Sequence, residues 1–239
     1  MRIFVTAGNT QVPIDRVRCI TNIFTGRTGA TIALEAYRRG HHVTLATSHP
    51  ETVAQLQAEQ TRWRCRPYRT FEELATLMAE EISAGKPDAV VQCAAVSDYH
   101  AAGIFAPAPG NRFDPIYLCW HGAPTLMVDC SAGKVKSDEP ELWLRLVRAP
   151  KLVDKIRSAW NFAGMLVKFK LEVGVNESEL QTVAEQSRLQ SDADVMVANT
   201  LEGAADWALL GNAQGYKKVP RAELAGALLD VLESEAPRG

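Results

Sequence analysis

The sequence predicts an α/β fold built on a doubly wound, mostly parallel β-sheet. Short apolar runs rich in β-branched residues alternate with longer stretches of helical periodicity, which is typical of parallel strands joined by crossover helices. The chain has 239 residues, of which 46% are hydrophobic and 23% charged, and this is enough to bury a sizeable core. We therefore expect a single domain over residues 1–239, with one irregular excursion near 100–148.

The predicted elements follow one another in a regular order. Strands are expected at 2–7, 42–47, 62–68, 88–94, 164–169 and 194–199. Helices are expected at 27–40, 51–59, 71–85, 149–160, 176–192 and 220–234. The first helix is the best delimited of these, because Gly26 precedes it and Gly40 ends it. The alternation predicts crossover helices that cover the sheet.

Residues 100–148 break this alternation. The stretch AAGIFAPAPGNRFDP is rich in Pro and Gly and predicts a loop, whereas IYLCWHGAPTLMVDC and ELWLRLVR predict extended segments between turns. We expect an antiparallel excursion here. Its apolar residues need cover, which predicts a homodimer in which the excursion contributes to the interface or covers the partner's cleft. These residues are Ile116, Leu118, Trp120, Leu126, Val128, Trp143 and Leu144.

Composition limits the class of partner. A formal net charge of −2 and a pI near 6.2 provide no basic surface for nucleic acid. No apolar stretch approaches the roughly 20 residues that cross a bilayer, and the N-terminus does not read as a signal peptide. The five cysteines never occur as Cys-x-x-Cys, which indicates reduced thiols. We expect a cytoplasmic protein that acts on small molecules and binds neither nucleic acid nor membrane.

Polar or glycine-rich segments fall at the ends of predicted strands and at the start of the first helix, namely at 8–10, 22–29, 94–98 and 199–200. Ligands of parallel sheets bind beyond the carboxyl ends of the strands, so these segments should converge on one crevice. Because Gly8 has no side chain, it would let the backbone come close to a ligand. Gly26 and Gly29 lie at the start of a helix, whose free N–H groups favour phosphate. For Gly8 alone a tight turn is the better interpretation, but the whole set favours ligand binding.

Two charged positions allow more than one interpretation. Asp98 follows an apolar strand and could hold a ribose or a polar substrate group, or it could cap a turn. Lys134 and Lys136 alternate in GKVKSD, which points them to the same face of an extended segment. They are either solvated lysines or mobile cations over a phosphate cleft, and spacing alone does not select between these.

Taken together, the motifs resemble the phosphopantothenoylcysteine synthetase family, also called phosphopantothenate–cysteine ligase. In chain order they are Thr6-Ala-Gly-Asn-Thr10, Pro13-Ile-Asp15, Val17-Arg18, Ile20-Thr-Asn22, Thr25-Gly26-x-x-Gly29, Ala94-Ala-Val-Ser-Asp98-Tyr99, Lys134-Val-Lys-Ser137, Ala149-Pro-Lys-Leu-Val153, Phe169-Lys-Leu-Glu172 and Val197-Ala-Asn199. The resemblance covers nearly the whole chain. It implies a Rossmann-like fold, a homodimer and the stand-alone form of the ligase, without the flavin-dependent decarboxylase module present in many bacteria.

The resemblance also implies a reaction. The family joins phosphopantothenate to cysteine in coenzyme A biosynthesis. A nucleoside triphosphate, CTP or ATP with Mg²⁺, activates the substrate carboxylate as an acyl nucleotidylate and releases pyrophosphate, after which the cysteine amine displaces the nucleotide. The catalytic roles would fall to Asn22, which holds the intermediate, and to Lys134, which neutralises charge at the reacting phosphate. No metal-ligating side chain is assigned.

The remaining site positions follow from the same motifs. The nucleotide side would comprise Gly8, Gly26, Gly29, Asp98, Pro150, Lys151, Leu152, Val153, Phe169 and Asn199. The substrate side would comprise Asn22, Ala94, Ala95 and Asp98.

Three departures from the family pattern bear on the phosphate site. Asn9 replaces a glycine, and its tolerance of left-handed backbone would preserve the opening turn. Phe24 replaces a small hydroxylated residue. Ser187 and Ser191 stand where many bacterial members have lysines near the triphosphate. The departures predict a less cationic phosphate site and leave the choice between CTP and ATP open.

Two other functions compete with the ligase. A nicotinamide-dependent reductase of the short-chain type needs Tyr-x-x-x-Lys, and none of the five tyrosines has Lys four residues later. The second predicted strand also ends at Thr47-Ser48, without the acidic residue that holds an adenosine ribose. A non-catalytic nucleotide-binding protein is the other alternative, favoured by Phe24 and the missing lysines.

Overall fold

The computed structural model describes residues 1–56 and 59–235. Its strands are β1 (Arg2–Ala7), β2 (Gln11–Pro13), β3 (Cys19–Thr21), β4 (His42–Thr47), β5 (Glu59–Gln60), β6 (Trp63–Pro67), β7 (Ala89–Gln92), β8 (Tyr99–Pro107), β9 (Arg112–Asp114), β10 (Cys119–His121), β11 (Met127–Asp129), β12 (Trp143–Arg148), β13 (Met165–Glu172), β14 (Val195–Thr200), β15 (Trp207–Asn212) and β16 (Gly215–Pro220). Its α-helices are α1 (Arg27–Arg38), α2 (Phe71–Ser83), α3 (Leu152–Ser158), α4 (Glu177–Gln190) and α5 (Leu224–Ser234).

The chain divides into two compact units. The sheet unit comprises Met1–Thr10, Ile23–Val96 and Lys151–Gly239. The excursion unit comprises Gln11–Asn22 and Ser97–Pro150. The expectation that residues 1–239 act as one domain stays a prediction.

The sheet unit is built on a nine-stranded sheet in the order β16-β15-β14-β13-β7-β1-β4-β6-β5. The six strands from β14 to β6 run parallel, whereas β15, β16 and β5 are antiparallel to their neighbours. The chain proceeds from β1 outward through β4 to β6 and then returns to β7 on the other side of β1. β1 and β7 therefore flank the switch point at which doubly wound sheets bind ligands. The predicted fold class is confirmed.

Helices bury both faces of this sheet. On one face, Val5 of β1 shares a core with Ile32 of α1 and Leu228 of α5. On the other face, Met196 of β14 packs with Leu180 of α4. All five side chains are essentially inaccessible, and burial of each contributes about 1.5–3 kcal/mol relative to exposure. The parallel strands therefore need helical cover on both sides.

The excursion unit is antiparallel in all its described strand pairs, as predicted. β8 lies between β11 and β12, while β9–β10 and β2–β3 form separate hairpins. Phe113, Trp120 and Trp143 form an aromatic cluster with ring centroids 5.0–5.4 Å apart.

The excursion unit joins two segments that are far apart in the sequence. Asp15 Oδ2 accepts a hydrogen bond from the Val135 amide at 3.0 Å, across 120 residues. The Asp15 carboxylate is also paired with the Arg18 guanidinium at 2.6 Å, and this hydrogen bond lowers the Asp15 pKa below its usual range. The segment at 11–22 is therefore pinned to the segment near 135.

The prediction of a loop at 101–115 is wrong, because this stretch contains most of β8, which pairs with β11 and β12, and all of β9. Two predicted helices also differ from the structure, and one hairpin was not predicted. The helix expected at 51–59 is a single 3₁₀ turn over Pro50–Val53, and residues 57–58 lie outside the described part of the chain. The helix expected at 149–160 begins only at Leu152, because a residue that precedes a proline, here Ala149, is disfavoured in the α region. The β15–β16 hairpin was missed. Its signal is Gly215, which has a φ of 130° directly after a two-residue turn.

Over the stretches that the structure describes, no helix has the length and apolar character required to cross a bilayer.

Candidate functional site

A cavity of about 400 Å³ lies in the sheet unit at the carboxyl ends of β1, β7, β13 and β14. Its lining comprises Gly8, residues 23–28, residues 93–95, residues 169–171, Asn199, Ala204 and Arg221. We call it the carboxyl-edge cavity. It occupies the switch point of the sheet, where the sequence places its predicted crevice.

Glycines allow close packing beside this cavity. Gly8 ends β1 with a φ of 91°, and Gly26 is the N-cap of α1 with a φ of 77°. A Cβ on Gly26 would lie 2.4 Å from the Gly8 nitrogen, so any side chain there would push the two loops apart. The first N–H groups of α1 have no intrahelical acceptor, which makes this end of the helix suited to an anion.

Gly29 has a packing role. It is buried, and a Cβ there would lie 2.6 Å from Cβ of Ala7, so Gly29 brings α1 close to β1. It is not among the residues that line the carboxyl-edge cavity. Its assignment as a nucleotide contact stays a prediction.

The predicted site residues divide into three groups. Those that line the carboxyl-edge cavity are Gly8, Gly26, Ala94, Ala95, Phe169 and Asn199. Those that belong to the sheet unit but do not line this cavity are Gly29, Lys151, Leu152 and Val153. Those that belong to the excursion unit are Asn22, Asp98, Lys134 and Pro150. The roles assigned to all of them from the motifs stay predictions.

Three cationic side chains that were not assigned to the site from the motifs also line the cavity. Arg27 is the first residue of α1. Lys170 lies on β13 and forms an ion pair with Glu172 at 2.9 Å. Arg221 donates a hydrogen bond to Thr28 Oγ1 in the first turn of α1. The cavity therefore contains several positive charges although lysines are missing at 187 and 191.

The two serines of α4 and its C-cap contact a buried lysine instead. Lys168 Nζ donates to the Ser187 carbonyl at 2.9 Å and to Ser191 Oγ at 2.5 Å. Ser191 Oγ donates in turn to Asp154 Oδ1 at 3.0 Å. Burial lowers the pKa of Lys168 to about 8, and the attraction of Asp154 only partly opposes this. This network joins β13, α3 and α4 directly before Phe169.

The turn after β1 is held by the side chain of Ser48, which directly follows the neighbouring strand β4. Ser48 Oγ accepts a hydrogen bond from the Asn9 amide at 2.9 Å and donates to Asn9 Oδ1 at 3.1 Å. Asn9 is not among the residues with positive φ. The reason expected for the tolerance of Asn9 is therefore wrong, because Gly8 takes the left-handed conformation and Asn9 does not need it.

Cys93 lines the same cavity but is a poor nucleophile. Burial raises its pKa to about 12, with the charge of Arg221 acting in the opposite direction. Because the thiolate is the reactive form of cysteine, Cys93 is suited to packing. Within residues 1–56 and 59–235 no cluster of three His, Cys, Asp or Glu side chains is arranged to hold a metal ion.

The sequence is similar to proteins of coenzyme A metabolism. A family model described as the DNA/pantothenate metabolism flavoprotein C-terminal domain matches residues 1–106. The chain is 33% identical over 242 residues to the coenzyme A biosynthesis bifunctional protein CoaBC of Thermococcus kodakarensis, an alignment that covers 97% of this chain and 51% of that protein. The CoaBC protein of Escherichia coli K12 is 27% identical, with 83% and 41% covered. The chain thus spans about half the length, or less, of these curated relatives.

Solved structures share the fold. The DNA/pantothenate metabolism flavoprotein from Streptococcus pneumoniae superimposes with a TM-score of 0.77 at 26% identity, covering 98% of this chain and 99% of that one. A Cab2 mutant in complex with phosphopantothenate-cysteine superimposes with a TM-score of 0.65 at 15% identity, covering 98% and 87%. The second likeness concerns the fold alone.

Proposed function

This chain belongs to the phosphopantothenoylcysteine synthetase family, and on that premise we propose that it joins 4′-phosphopantothenate to L-cysteine. In the first step a carboxylate oxygen of phosphopantothenate attacks the α-phosphorus of CTP or ATP, and pyrophosphate leaves. In the second step the cysteine amine attacks the acyl carbon, and the nucleoside monophosphate leaves. The product is an amide.

The single observation that carries the proposal is the carboxyl-edge cavity. Gly8, Gly26, Phe169 and Asn199 come from separate parts of the chain, were assigned to the nucleotide from their motifs, and all line this one cavity. Ala94 and Ala95, assigned to the acyl substrate, line it too. A cavity of about 400 Å³ falls in the range typical of small-molecule sites.

The phosphates are best accommodated at the start of α1. Arg27 and Arg221 line the cavity there, and Arg221 bonds to the hydroxyl of Thr28. Guanidinium groups and free helix N–H groups both favour phosphate oxygens. We assign the triphosphate to these groups, with Lys170 as a further cation on β13.

The chemical steps are assigned to side chains of the excursion unit. Asn22 would hold the acyl nucleotidylate through its amide, and Lys134 would neutralise the charge that develops on the reacting phosphate. Asp98 would bind a polar group of the ribose or of the substrate. We propose that Mg²⁺ enters with the triphosphate, whose oxygens are ordinary ligands of this ion.

A pyrophosphate-release assay tests the proposed function. Purified protein is supplied with phosphopantothenate and Mg²⁺ and with CTP, ATP, GTP or UTP in turn, with and without cysteine. Pyrophosphate release that requires phosphopantothenate, and amide formation that also requires cysteine, are the expected results. Nucleotide binding without pyrophosphate release would contradict the proposal and would identify a non-catalytic nucleotide-binding protein.

A further inference from the structure

The turn of the β2–β3 hairpin holds a stretch of backbone that is distant in the sequence. Asp15 and Arg18 lie in this turn, and both contact the backbone of Val135. The Asp15 carboxylate accepts a hydrogen bond from the Val135 N–H at 3.0 Å, and Arg18 Nη2 donates to the Val135 carbonyl at 2.8 Å. A third hydrogen bond, 3.1 Å long, runs from the Arg16 N–H to the Gly133 carbonyl. We call these three contacts the turn clamp.

The Asp15 carboxylate is the centre of the turn clamp. Its side chain is 0% exposed, whereas that of Arg18 is 47% exposed. Oδ1 accepts hydrogen bonds from the N–H groups of Val17 and Arg18, each at 2.8 Å, and so closes the turn. Oδ2 accepts hydrogen bonds from Arg18 Nη2 at 2.6 Å and from the Val135 N–H at 3.0 Å. Oδ1 therefore shapes the turn, and Oδ2 binds the segment that the turn holds.

The turn clamp fixes the residue that lies between two lysines. Val135 is 5% exposed, whereas Lys134 and Lys136 on either side of it are exposed. Both polar groups of the Val135 backbone are hydrogen-bonded to the turn, and its side chain is buried. The neighbouring peptide units are therefore held in one orientation. Asp15 and Arg18 thus set the direction in which Lys134 leaves the backbone.

The same hairpin also carries Asn22. Asn22 directly follows β3, a strand of three residues that pairs with β2 along its whole length. The turn clamp and Asn22 consequently lie at the two ends of β3, roughly 10 Å apart. Asn22 and Lys134, the two residues to which the chemistry is assigned, are joined through Asp15 within the excursion unit.

We propose that Asp15 is a positioning residue, which holds Lys134 in place for activation of the substrate carboxylate. The inference rests on the proposed function, in which Lys134 neutralises charge at the reacting phosphate. Asp15 acts through the backbone of Val135 and does not need to touch a substrate. A charge that stabilises a transition state must be preorganised, and a displacement of about 1 Å lowers a rate by up to about 100-fold. Loss of the turn clamp should therefore lower kcat and leave nucleotide binding nearly unchanged.

Asp15→Asn breaks the turn clamp and keeps the turn. Its amide oxygen still accepts the two N–H groups of the turn, whereas its NH₂ group cannot accept a hydrogen bond from Val135. In NMR hydrogen-exchange measurements we expect the Val135 amide to exchange about 10-fold faster or more. The kcat for pyrophosphate release should fall about 10-fold or more, while the KM for the triphosphate changes by less than about 2-fold. Arg16→Gln is the matched control, because it removes a charge from the same turn and keeps the backbone contact.

A double-mutant cycle separates positioning of Lys134 from a general structural effect. In the Lys134→Gln background, Asp15→Asn should lower the residual pyrophosphate release by less than about 2-fold, because the group that Asp15 positions is absent. If circular dichroism shows that Asp15→Asn does not fold, Arg18→Lys takes its place in the same measurements, since it keeps the charge and loses the guanidinium fork.

The outcomes distinguish this inference from the proposed function. Additive effects in the cycle, an unchanged kcat, or exchange of the Val135 amide at the wild-type rate would each overturn the role of Asp15 while the ligase activity stands. A wild-type protein that releases no pyrophosphate would contradict the proposed function, and the role of Asp15 would fall with it.

Discussion

At the scale of single residues, Arg221 offers a direct test of the phosphate assignment. Replacing Arg221 by Gln removes a positive charge beside the first turn of α1 and keeps a hydrogen-bonding side chain. We expect the KM for the triphosphate to rise about 10-fold or more, because a charge-assisted contact is lost. Arg221→Lys should retain much of the affinity. Steady-state pyrophosphate release measures both variants, with Arg38→Gln, a 70% exposed position on α1, as control, and a KM unchanged in Arg221→Gln would place the phosphates elsewhere.

Asn22 is predicted to act after activation. Asn22→Asp replaces an amide donor by a negative charge, which the phosphate of the intermediate repels. We expect nucleotide binding to persist while amide formation falls by at least about 100-fold, so that acyl nucleotidylate accumulates. Mass spectrometry of quenched reactions detects this species. Product formation at the normal rate would show that Asn22 does not hold the intermediate.

Lys134 is predicted to act in activation itself. Lys134→Gln keeps most of the side-chain length and removes the charge, so pyrophosphate release should fall about 100- to 1,000-fold while nucleotide affinity falls modestly. Lys136→Gln is the matched control, two residues away in the same segment, and should have a milder effect. Pyrophosphate release measured for both decides the assignment. An equal or reversed ranking would move the catalytic charge to another residue.

At the scale of elements, the buried Lys168 links the stability of three elements to pH. The pKa of Lys168 is lowered from 10.5 to about 8 in the folded state. Between these two pH values the unfolded chain binds more protons than the folded chain, so the free energy of unfolding increases as the pH rises. In Lys168→Met this increase is absent. The free energy of unfolding, measured by denaturant titration from pH 7 to 10.5, should therefore increase with pH in the wild type relative to the variant. Parallel curves would indicate an unperturbed lysine.

Elements were predictable where local signals and burial agree. The first two parallel strands were predicted to the residue, because apolar β-branched runs buried on both faces are bounded by polar turns. The start of α2 carries a capping box between Thr70 and Glu73, and α4 carries another between Asn176 and Glu179. Such local signals fix helix starts to within a residue or two.

Other features could not be predicted because they depend on contacts between distant parts of the chain, which no local sequence pattern indicates. The β15–β16 hairpin lies at an edge of the sheet, and Gly215 marks its turn but not its pairing with β14. Arg221 follows this hairpin and reaches α1 from 193 residues away. No motif or spacing marks such a residue. The glycines of the site were predictable, whereas its arginines required the fold.

At the scale of the whole molecule, the excursion unit is expected to form a homodimer interface. Ile116 is 82% exposed and Leu118 is 77% exposed, whereas Trp120 and Trp143 are partly covered by their own aromatic cluster. Replacing Ile116 and Leu118 together by Ser should convert the dimer to a monomer, since exposed apolar side chains gain most from a partner's cover. Light scattering at micromolar concentration measures this.

A matched control for the dimer prediction is available on α4. Leu189 is 63% exposed there and lies in the sheet unit, so Leu189→Ser should leave the oligomeric state unchanged. A wild-type protein that is monomeric under the same conditions would contradict the prediction.

The excursion unit is made of two segments that are far apart in the sequence, and this constrains the order of events during synthesis. The hairpin at 11–22 leaves the ribosome early. The amide N–H that donates a hydrogen bond to the Asp15 carboxylate, however, belongs to Val135, 120 residues later. The hairpin must therefore wait while more than half of the chain is made. A long-range closure of this kind is slow compared with local contacts. If residues 97–150 were removed alone, the hairpin at 11–22 would lose its support. The two segments must therefore be moved together when this unit is transferred to another protein.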